Sequence, residues 1–399
     1  MKSLWNDVDA AHCGSELARR AYTSRLLGGD PSLVLHGGGN TSLKLEADEA
    51  GGARALYVKG TGSDLARVDE SAFTPLRLDG VVQVLDQLNL SNAGMMLALD
   101  ACLMRRPAPR PSIETLLHAG LPYRYVEHTH ADAVLAAMNV DDIAAVHANV
   151  YGDRAPLVPY HHSGHALARA CMAAFRAHAS ANTIGLILAF HGVVAFGDDA
   201  RSSYEHMIEL VTRAEHYLRA RGAWDITPAT PASVTPDRGV LNEIHGAINA
   251  VAGAPLAMHV VNDALCTAFA QRGDLAEISR QGPATPQHAV YTKRVPMLGR
   301  DVHAYAEHYR GYLDRHLGKE ASAWIDAAPR IMLDAEFGLC AFGATARDAR
   351  IAAEMYQHDI AIITRASAHG RYRSAPPEAI AQAEFEYGGY ATRQQRAAP

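Results

Sequence analysis

The sequence contains few cysteines and no long hydrophobic run. Its five cysteines are odd in number and far apart (Cys13, Cys102, Cys171, Cys266 and Cys340), which argues against a disulfide framework or a C-x-x-C metal site and favours a reducing compartment. No uncharged apolar run approaches the roughly 20 residues that span a bilayer. The first twenty residues also lack the apolar core of a secretory signal. We therefore expect a cytoplasmic protein with no membrane partner.

Charge of one sign and nucleotide-binding motifs are also missing. The net charge is −6 and charged residues make up 20% of the chain, so we expect no nucleic-acid partner. Neither the P-loop pattern G-x-x-x-x-G-K-[ST] nor the dinucleotide pattern G-x-G-x-x-G occurs. With 399 residues, 48% of them hydrophobic, the chain is long enough for two domains or for one domain with a large extension.

Strand and helix patterns alternate in the first half of the chain. Strands are predicted, from short apolar runs bounded by turn residues, at 32–36, 55–60, 123–130 and 183–190. Helices are predicted at 71–88, 114–122, 165–179 and 202–220, the last with an apolar stripe at helical spacing. This mixture favours a sheet covered by helices on both faces.

Two segments of the chain resemble each other. "AFHGVVAFGDDAR" (189–201) and "AEFGLCAFGATAR" (335–347) align without a gap, and each leads into a helical pattern. We interpret the second as a degenerate copy of a strand–turn–helix unit; chance similarity is the alternative. His191 in the first segment corresponds to Phe337 in the second, so the second copy cannot do what His191 does.

Three histidines at strand ends form a candidate metal site. His128 and His130 are two residues apart on a predicted strand, so both side chains point to the same face. His191 follows a second apolar strand and precedes Gly192, where backbone can approach closely. Three histidine ligands leave an open position, as catalytic Zn²⁺ requires. With 21 histidines in the chain, a surface or core role is the alternative for each one.

Glu114 and two glycine-rich turns are further candidates for the same site. Glu114 lies in a predicted first helical turn, 14 residues before His128, and suits an acid/base role; stabilisation of the helix dipole is the alternative. "HGGGNTS" and "VKGTGSD" each follow a predicted strand. Their backbone N–H groups suit an anion-binding concavity, supported by the side chains of Asn40, Thr41, Thr61, Ser63 and Lys59; simple hairpin turns are the alternative.

Together these motifs resemble a known family. "GGGNTS", "KGTGSDLA", "PSIETLLHA", "HTHADAVLA" and "HGVVAFGDDARSSYE" are similar to class II aldolase/adducin proteins. The similarity is greatest to the aldolase half of rhamnulose-1-phosphate aldolase/short-chain dehydrogenase fusion proteins. The resemblance implies an α/β fold, a three-layer α/β/α sandwich on a mixed, mostly antiparallel sheet. We expect this fold in residues 1–224, a linker at 225–239, and a degenerate, non-catalytic aldolase-like half at 240–399.

The resemblance also implies roles for individual residues. His128, His130 and His191 would bind Zn²⁺, with Mn²⁺ or Co²⁺ as alternatives, and Glu114 would be the catalytic acid/base. The residues that would hold a substrate phosphate are Gly39, Asn40, Thr61, Gly62 and Ser112. Family members often have a second serine where this chain has Ile113, so one phosphate donor is lost.

The expected function is that of a class II metal-dependent aldolase, a carbon–carbon lyase of carbohydrate metabolism. Its substrate would be a ketose phosphate or a related hydroxy-ketone, a small-molecule sugar or sugar phosphate, cleaved or formed through a zinc-stabilised enediolate. Sugar-phosphate epimerases, dehydratases and decarboxylases on the same scaffold are alternatives, as is a non-enzymatic adducin-like module. Family active sites lie between subunits, so we expect a homo-oligomer, a dimer or tetramer.

Overall fold

A computed structural model of the protein describes residues 1–232 and 236–387. These residues form two compact units. The first consists of Met1–Met138 and Asp142–Ala220, and the second of Asn139–Asp141 and the chain from Arg221 onward. Across the described residues, no helix is both long enough and apolar enough to cross a membrane.

The first unit alternates helices with strands. Its strands are β1 (Asn40–Leu45), β2 (Ala55–Lys59), β3 (Phe73–Arg77), β4 (Tyr125–Thr129), β5 (Leu157–Val158), β6 (Gly185–Leu188) and β7 (Gly192–Gly197). Its α-helices are α1 (Asp7–Ala11), α2 (Glu16–Gly28), α3 (Leu78–Asp86), α4 (Asn92–Ala101), α5 (Thr115–Gly120), α6 (Asp132–Met138), α7 (Ile143–Val150), α8 (His165–His178) and α9 (Ala200–Ala220). Short 3₁₀ helices occupy Leu65–Arg67, Glu70–Ala72 and Gly152–Arg154.

The seven strands form one sheet in the order β3-β2-β1-β4-β7-β6-β5. Strands β5 and β6 are parallel, and the other neighbouring strands are antiparallel. The prediction of a mixed, mostly antiparallel sheet in an α/β fold is therefore confirmed.

The central strand β4 shows how helices come to cover both faces of this sheet. Val126 lies in a hydrophobic core with residues of α3, α4, α5 and α8, and His128, two residues on, points to the same side. Glu127 points to the opposite side, where its carboxylate accepts hydrogen bonds from Arg20 of α2 at 2.7 Å and Ser203 of α9 at 2.8 Å. The alternation of β4 thus separates the side facing α5 from the side facing α2 and α9.

The long helix α9 buries the apolar stripe predicted for it. Its buried residues include Met207, Ile208, Leu210, Val211, Ala214 and Leu218. On the β4 side, Thr129 donates a hydrogen bond to the sulfur of Met207 at 3.3 Å. The helix prediction at 202–220 is therefore confirmed, together with the side that packs on the sheet.

Two predictions of secondary structure are wrong. The segment 32–36 is not a strand: the backbone N–H groups of Leu33 and Val34 donate to the carbonyl of Asp30, which makes a turn, and β1 begins only at Asn40. Within the helix predicted at 71–88, Phe73–Arg77 instead form strand β3, which pairs with β2. Pro75 explains this, because proline lacks the N–H that a helix interior needs.

The second unit has a smaller sheet, in the order β8-β11-β10-β9. Its strands are β8 (Ala257–Val261), β9 (Met297–Leu298), β10 (Ile331–Asp334) and β11 (Gly338–Gly343). Its helices are α10 (Arg238–Ala252), α11 (Ala264–Ala270), α12 (Leu275–Ser279), α13 (Pro286–Thr292), α14 (Val302–Leu317), α15 (Lys319–Ser322), α16 (Ala346–His369) and α17 (Pro377–Tyr387). Of the predicted linker, 225–232 lies outside helices and strands, 233–235 lies outside the described residues, and α10 begins within it. Residues 388–399 of the predicted second half also lie outside the described residues.

The small sheet repeats the pairing of β4, β7, β6 and β5. Leu188 pairs with Gly192 in the first hairpin. In the second hairpin Asp334 pairs with Gly338, each 146 positions further along the chain (188 to 334, 192 to 338). Strand β8 is antiparallel to β11 as β4 is to β7, and β9 is parallel to β10 as β5 is to β6. The resemblance between 189–201 and 335–347 therefore extends, in backbone arrangement, over four strands.

Candidate metal centre and active site

Two strands and a hairpin turn bring the three predicted histidines together. His128 is on β4, His130 directly follows it, and His191 lies in the turn between β6 and β7. One ring nitrogen of each lies within 4.8 Å of the other two, and the ring centroids are 4.9–5.2 Å apart. All three side chains are buried. Buried imidazoles that converge on one point are the arrangement expected of a metal site.

The protonation of His128 fits a divalent cation. Nδ1 of His128 lies 3.0 Å from the carbonyl oxygen of Val193; donation to this carbonyl places the proton on Nδ1 and leaves Nε2 with a free lone pair. Burial lowers the pKa of His128, which keeps the ring neutral. Its Nε2 lies 3.1 Å from Nε2 of His130, and two nitrogens bound tetrahedrally at about 2.0–2.1 Å would lie roughly 3.3 Å apart. The donor set therefore suits Zn²⁺ or a similar ion.

Gly192 lets strand β7 approach the histidines. A Cβ at this position would lie less than 3.0 Å from the carbonyl oxygen of Thr129, 3.1 Å from Cδ2 of His130 and 3.3 Å from Cε1 of His128. The preceding turn includes Phe190, whose φ of 56° is unusual for an aromatic residue. The hairpin that presents His191 is thus tightly constrained on both sides.

Glu114 lies beside the three rings. It is the N-cap residue of α5, and its Oε1 is 3.1 Å from Nε2 of His191 while its Oε2 is 3.4 Å from Nε2 of His128. Asn40 donates from Nδ2 to Oε2 at 2.7 Å. Burial raises the pKa of Glu114, whereas hydrogen bonds from His191 and from the Asn40 amide lower it, and the net direction is well below 4.5. The carboxylate is therefore ionised and able to accept a proton.

One face of β1 holds α5 in place with polar side chains. Alternate residues Asn40, Ser42 and Lys44 point to the same side. Asn40 and Ser42 contact His118 of α5, and Lys44 donates to the carbonyls of Leu121 and Tyr123, just after the helix, at 2.6 and 2.8 Å. Strand β1 thus fixes both ends of the short helix that begins with Glu114.

The first glycine-rich turn lies directly against strand β4, which contains His128. Gly39 has a φ of 59°, and a Cβ there would lie 2.7 Å from the carbonyl oxygen of His128. Lys59, at the end of β2, donates to the carbonyls of Gly37 and Gly39 at 3.0 Å each. A residue without a side chain is needed at Gly39 because the turn is held between Lys59 and β4.

The five residues predicted to bind phosphate fall into two groups. Thr61 lies against the two residues that precede Ser112, because it donates from Oγ1 to the carbonyl of Pro111 at 3.0 Å and from its backbone N–H to the carbonyl of Arg110. Gly62, with a φ of 86°, is exposed beside them. Asn40 and Gly39 instead lie next to Glu114 and His128. Phosphate binding by these residues stays a prediction.

The sequence reading missed His118, which connects to the site through Asn40. It lies four residues after Glu114, so the helical period already places the two on one side of α5. It also missed the fully buried ion pair of Arg20 and Glu127 behind His128. No local pattern indicates that pair, because the two residues meet only once α2 packs on β4.

The second unit has the same strand positions without the ligands. By strand register Val260 stands where His128 stands, and Asn262, two residues on, corresponds to His130. Phe337 stands in the turn at the position of His191, and its side chain is buried in the hydrophobic core of the second unit. Counting back from the strand, Gly246 of α10 corresponds to Glu114. These four residues offer neither an imidazole nor a carboxylate.

Two family profiles match this chain. One, described as "Class II Aldolase and Adducin N-terminal domain", matches residues 18–218. The other, described as "Aldolase class II, second domain", matches residues 236–387. The first match alone spans half of the chain and contains the histidine cluster and Glu114.

Individual proteins with similar sequences or structures agree with these profiles. The "Uncharacterized oxidoreductase YuxG" of Bacillus subtilis (strain 168) is 28% identical over 401 residues, which cover 94% of this chain and 58% of that protein. The chain thus spans somewhat more than half the length of this relative. The N-terminal class II aldolase domain of a conserved protein from Thermoplasma acidophilum is 36% identical, with a TM-score of 0.50 over 55% of this chain and 100% of that one.

Proposed function

The chain belongs to the class II aldolase and adducin family, and from this premise we propose that its first unit is a metal-dependent aldolase. It would cleave or form a carbon–carbon bond in a ketose phosphate or a related hydroxy-ketone. The observation that carries the proposal is the group of three buried imidazoles with the Glu114 carboxylate 3.1 Å from one of them. An adducin-like module without chemistry would not need this set of side chains.

His128, His130 and His191 would hold the divalent cation, Zn²⁺ or else Mn²⁺ or Co²⁺. When bound, the cation supplies a Lewis acid opposite the negative charge that develops on the substrate oxygens as the carbon–carbon bond breaks. His128 would be a neutral ligand, with its proton directed at the carbonyl of Val193. Burial of the three rings excludes water from the site.

Glu114 would move the proton at the carbon next to the substrate carbonyl. Its ionised form accepts this proton in the direction of bond formation and returns it after cleavage. The amide of Asn40 binds one carboxylate oxygen at 2.7 Å, which restricts rotation of the carboxylate. Glu114 stands at the N-terminus of α5, where the helix dipole further favours the negative charge.

The substrate would be a small sugar or sugar phosphate bound near the two glycine-rich turns. Support comes from the hydrogen bond of Thr61 to Pro111, the residue before Ser112, and from the position of Gly39 against His128. We further propose a cytoplasmic homo-oligomer, in line with five free cysteines. The second unit would be a non-catalytic copy, since Val260 and Phe337 replace two of the ligands.

Metal analysis of the purified protein tests the proposal first. We expect about one divalent ion per chain in the wild type and none in His128→Ala. His259→Ala is the matched control, because His259 lies on the corresponding strand β8 of the second unit, and it should retain the ion. A wild-type protein that binds no divalent ion after incubation with Zn²⁺, Mn²⁺ or Co²⁺ would contradict the proposal.

A screen for carbon–carbon cleavage tests the reaction. Ketose phosphates and hydroxy-keto acids are supplied, and the release of dihydroxyacetone phosphate, pyruvate or aldehyde is measured. Glu114→Gln should keep the ion and lose about 10²–10⁴-fold in turnover, the usual contribution of a positioned acid/base. A variant that turns over at the wild-type rate would rule out this role for Glu114.

A further inference from the structure

The hydrogen bonds of Glu114 continue into the protein, away from the metal ligands. We propose that His118 is a positioning residue: it fixes the side-chain amide of Asn40, and Asn40 in turn holds the Glu114 carboxylate in place. The proposal rests on the function proposed above for Glu114, although its structural part can be tested without a substrate.

Four side chains form a continuous buried series. Ser42 Oγ lies 2.8 Å from Nδ1 of His118, Nε2 of His118 contacts Oδ1 of Asn40, and Nδ2 of Asn40 donates to Oε2 of Glu114 at 2.7 Å. Ser42 and His118 are 0% exposed, and Asn40 and Glu114 are 6% and 5% exposed. Water therefore cannot readily replace a lost partner, and each contact constrains the next one.

Only one arrangement of protons satisfies the series. Asn40 directs its NH₂ group at Oε2 of Glu114 and its oxygen at Nε2 of His118. An amide oxygen only accepts hydrogen bonds, so the proton of His118 must be on Nε2. Nδ1 then accepts the hydroxyl proton of Ser42. Burial lowers the pKa of His118 to about 3, which leaves the ring with the single proton that this arrangement requires.

Removal of the His118 donor would release the amide of Asn40. A half-turn of the amide would bring its oxygen against the Glu114 carboxylate, where two acceptors repel. Glu114 would lose its 2.7 Å hydrogen bond and keep its contacts with His128 and His191, so it would move toward the ligands. A misplacement of about 1 Å can cost 10²-fold in rate. The metal ligands keep their own contacts, because both ring nitrogens of His118 are used on Ser42 and Asn40.

Three variants separate this role from a general packing role. His118→Leu keeps a similar volume and removes the donor, whereas His118→Gln retains an N–H group of similar reach and should rescue. His147→Leu is the matched control, since His147 lies on α7 and its ring bonds the carbonyl of Ala155. If His118→Leu does not fold, His118→Phe replaces it, because the ring shape is kept and the donor is lost.

The first readout is structural and uses the Zn²⁺-loaded proteins without substrate. We expect crystal structures of His118→Leu to show the Asn40–Glu114 hydrogen bond broken, with one ion bound as in the wild type. His118→Gln should retain the bond. If His118→Leu, or His118→Phe in its place, retains the 2.7 Å contact, the proposal is overturned, whatever the activity.

The second readout is exchange of the carbon-bound hydrogens of dihydroxyacetone phosphate with D₂O, followed by NMR. We expect the maximal rate of His118→Leu to fall about 10–100-fold with KM unchanged, and His118→Gln and His147→Leu to stay within a few fold of the wild type. An unchanged rate in His118→Leu contradicts the proposal. A wild-type protein that exchanges no hydrogen contradicts the proposed function instead, and the crystal structures still decide the role of His118.

Discussion

Substitution of Gly192 by alanine tests whether close approach of β7 to β4 creates the proposed metal site. The added methyl group would meet the carbonyl oxygen of Thr129 at less than 3.0 Å and the rings of His130 and His128 at 3.1 and 3.3 Å. The oxygen belongs to backbone, so it cannot turn aside as a flexible side chain could. The strands must therefore separate at this point.

The expected magnitude follows from these contacts. Relief of the clash requires a shift of several tenths of an ångström to about 1 Å, and overpacking of this kind costs about 1–3 kcal/mol of unfolding free energy. The same shift lengthens the 3.0 Å contact between His128 Nδ1 and the carbonyl of Val193, which orients the ring. Loss of such an orienting contact lowers metal affinity by about 10–100-fold.

Competition with a coloured chelator measures the Zn²⁺ affinity, and urea unfolding of the metal-free protein measures the stability. Gly338→Ala is the matched control, because Gly338 occupies the same position in the second hairpin and a Cβ there would lie 2.7 Å from the carbonyl oxygen of Val261. The control should lose stability and keep its Zn²⁺ affinity. Wild-type affinity in Gly192→Ala, or an equal loss of affinity in the control, would refute the reasoning.

Three further predictions concern stability. Glu127→Gln leaves the fully buried Arg20 without a counter-charge and should lower the free energy of unfolding in urea by about 3–5 kcal/mol. As a control, Asp79→Asn removes one partner of an exposed ion pair and should change this free energy by less than about 1 kcal/mol. Burial raises the pKa of Glu384 to about 7 from 4.5, so its contribution to the free energy of unfolding is present below pH 4.5 and is lost as the pH rises through 7. This loss is worth about 3 kcal/mol at most. Glu384→Gln should remove it, which urea unfolding at pH 4.5 and pH 8.5 would detect. Removal of the metal with a chelator should lower the melting temperature of the wild type and leave that of His128→Ala unchanged; equal shifts in both would contradict a site at these histidines.

Sequence patterns could predict those strands that are marked by a local apolar run and by the residues at its ends. Strand β4 reads as an apolar run that ends in His128, and the period of two residues places His130 on the same side. Strand β3 was missed because its hydrophobic spacing also fits a helix, and only Pro75 and the pairing with β2 decide between them. The local sequence pattern does not indicate which strand of the sheet an apolar segment will pair with.

The parts of the site that could not be predicted depend on long-range pairing. Asn40 pairs with His128 across β1 and β4, 88 positions apart in the chain (40 to 128), and this pairing brings its amide to Glu114. In the sequence Asn40 is simply part of a glycine-rich turn, where a phosphate contact is the natural interpretation. His118 could have been found from its spacing to Glu114 alone. Its proposed role depends on contacts with Ser42 and Asn40 of β1, and these residues come close to His118 only in the folded sheet.

The second unit shows which features of the first are needed for folding and which for chemistry. Strand β8 pairs with β11 in the register of β4 and β7, although Val260 and Phe337 stand where the first unit has His128 and His191. The pairing therefore does not depend on imidazoles at these positions. Gly338 still matches Gly192, and at both positions a Cβ would lie less than 3.0 Å from a carbonyl oxygen of the neighbouring strand. Burial of three imidazoles carries a desolvation cost that an apolar core does not, and this supports the proposal that they bind a metal ion.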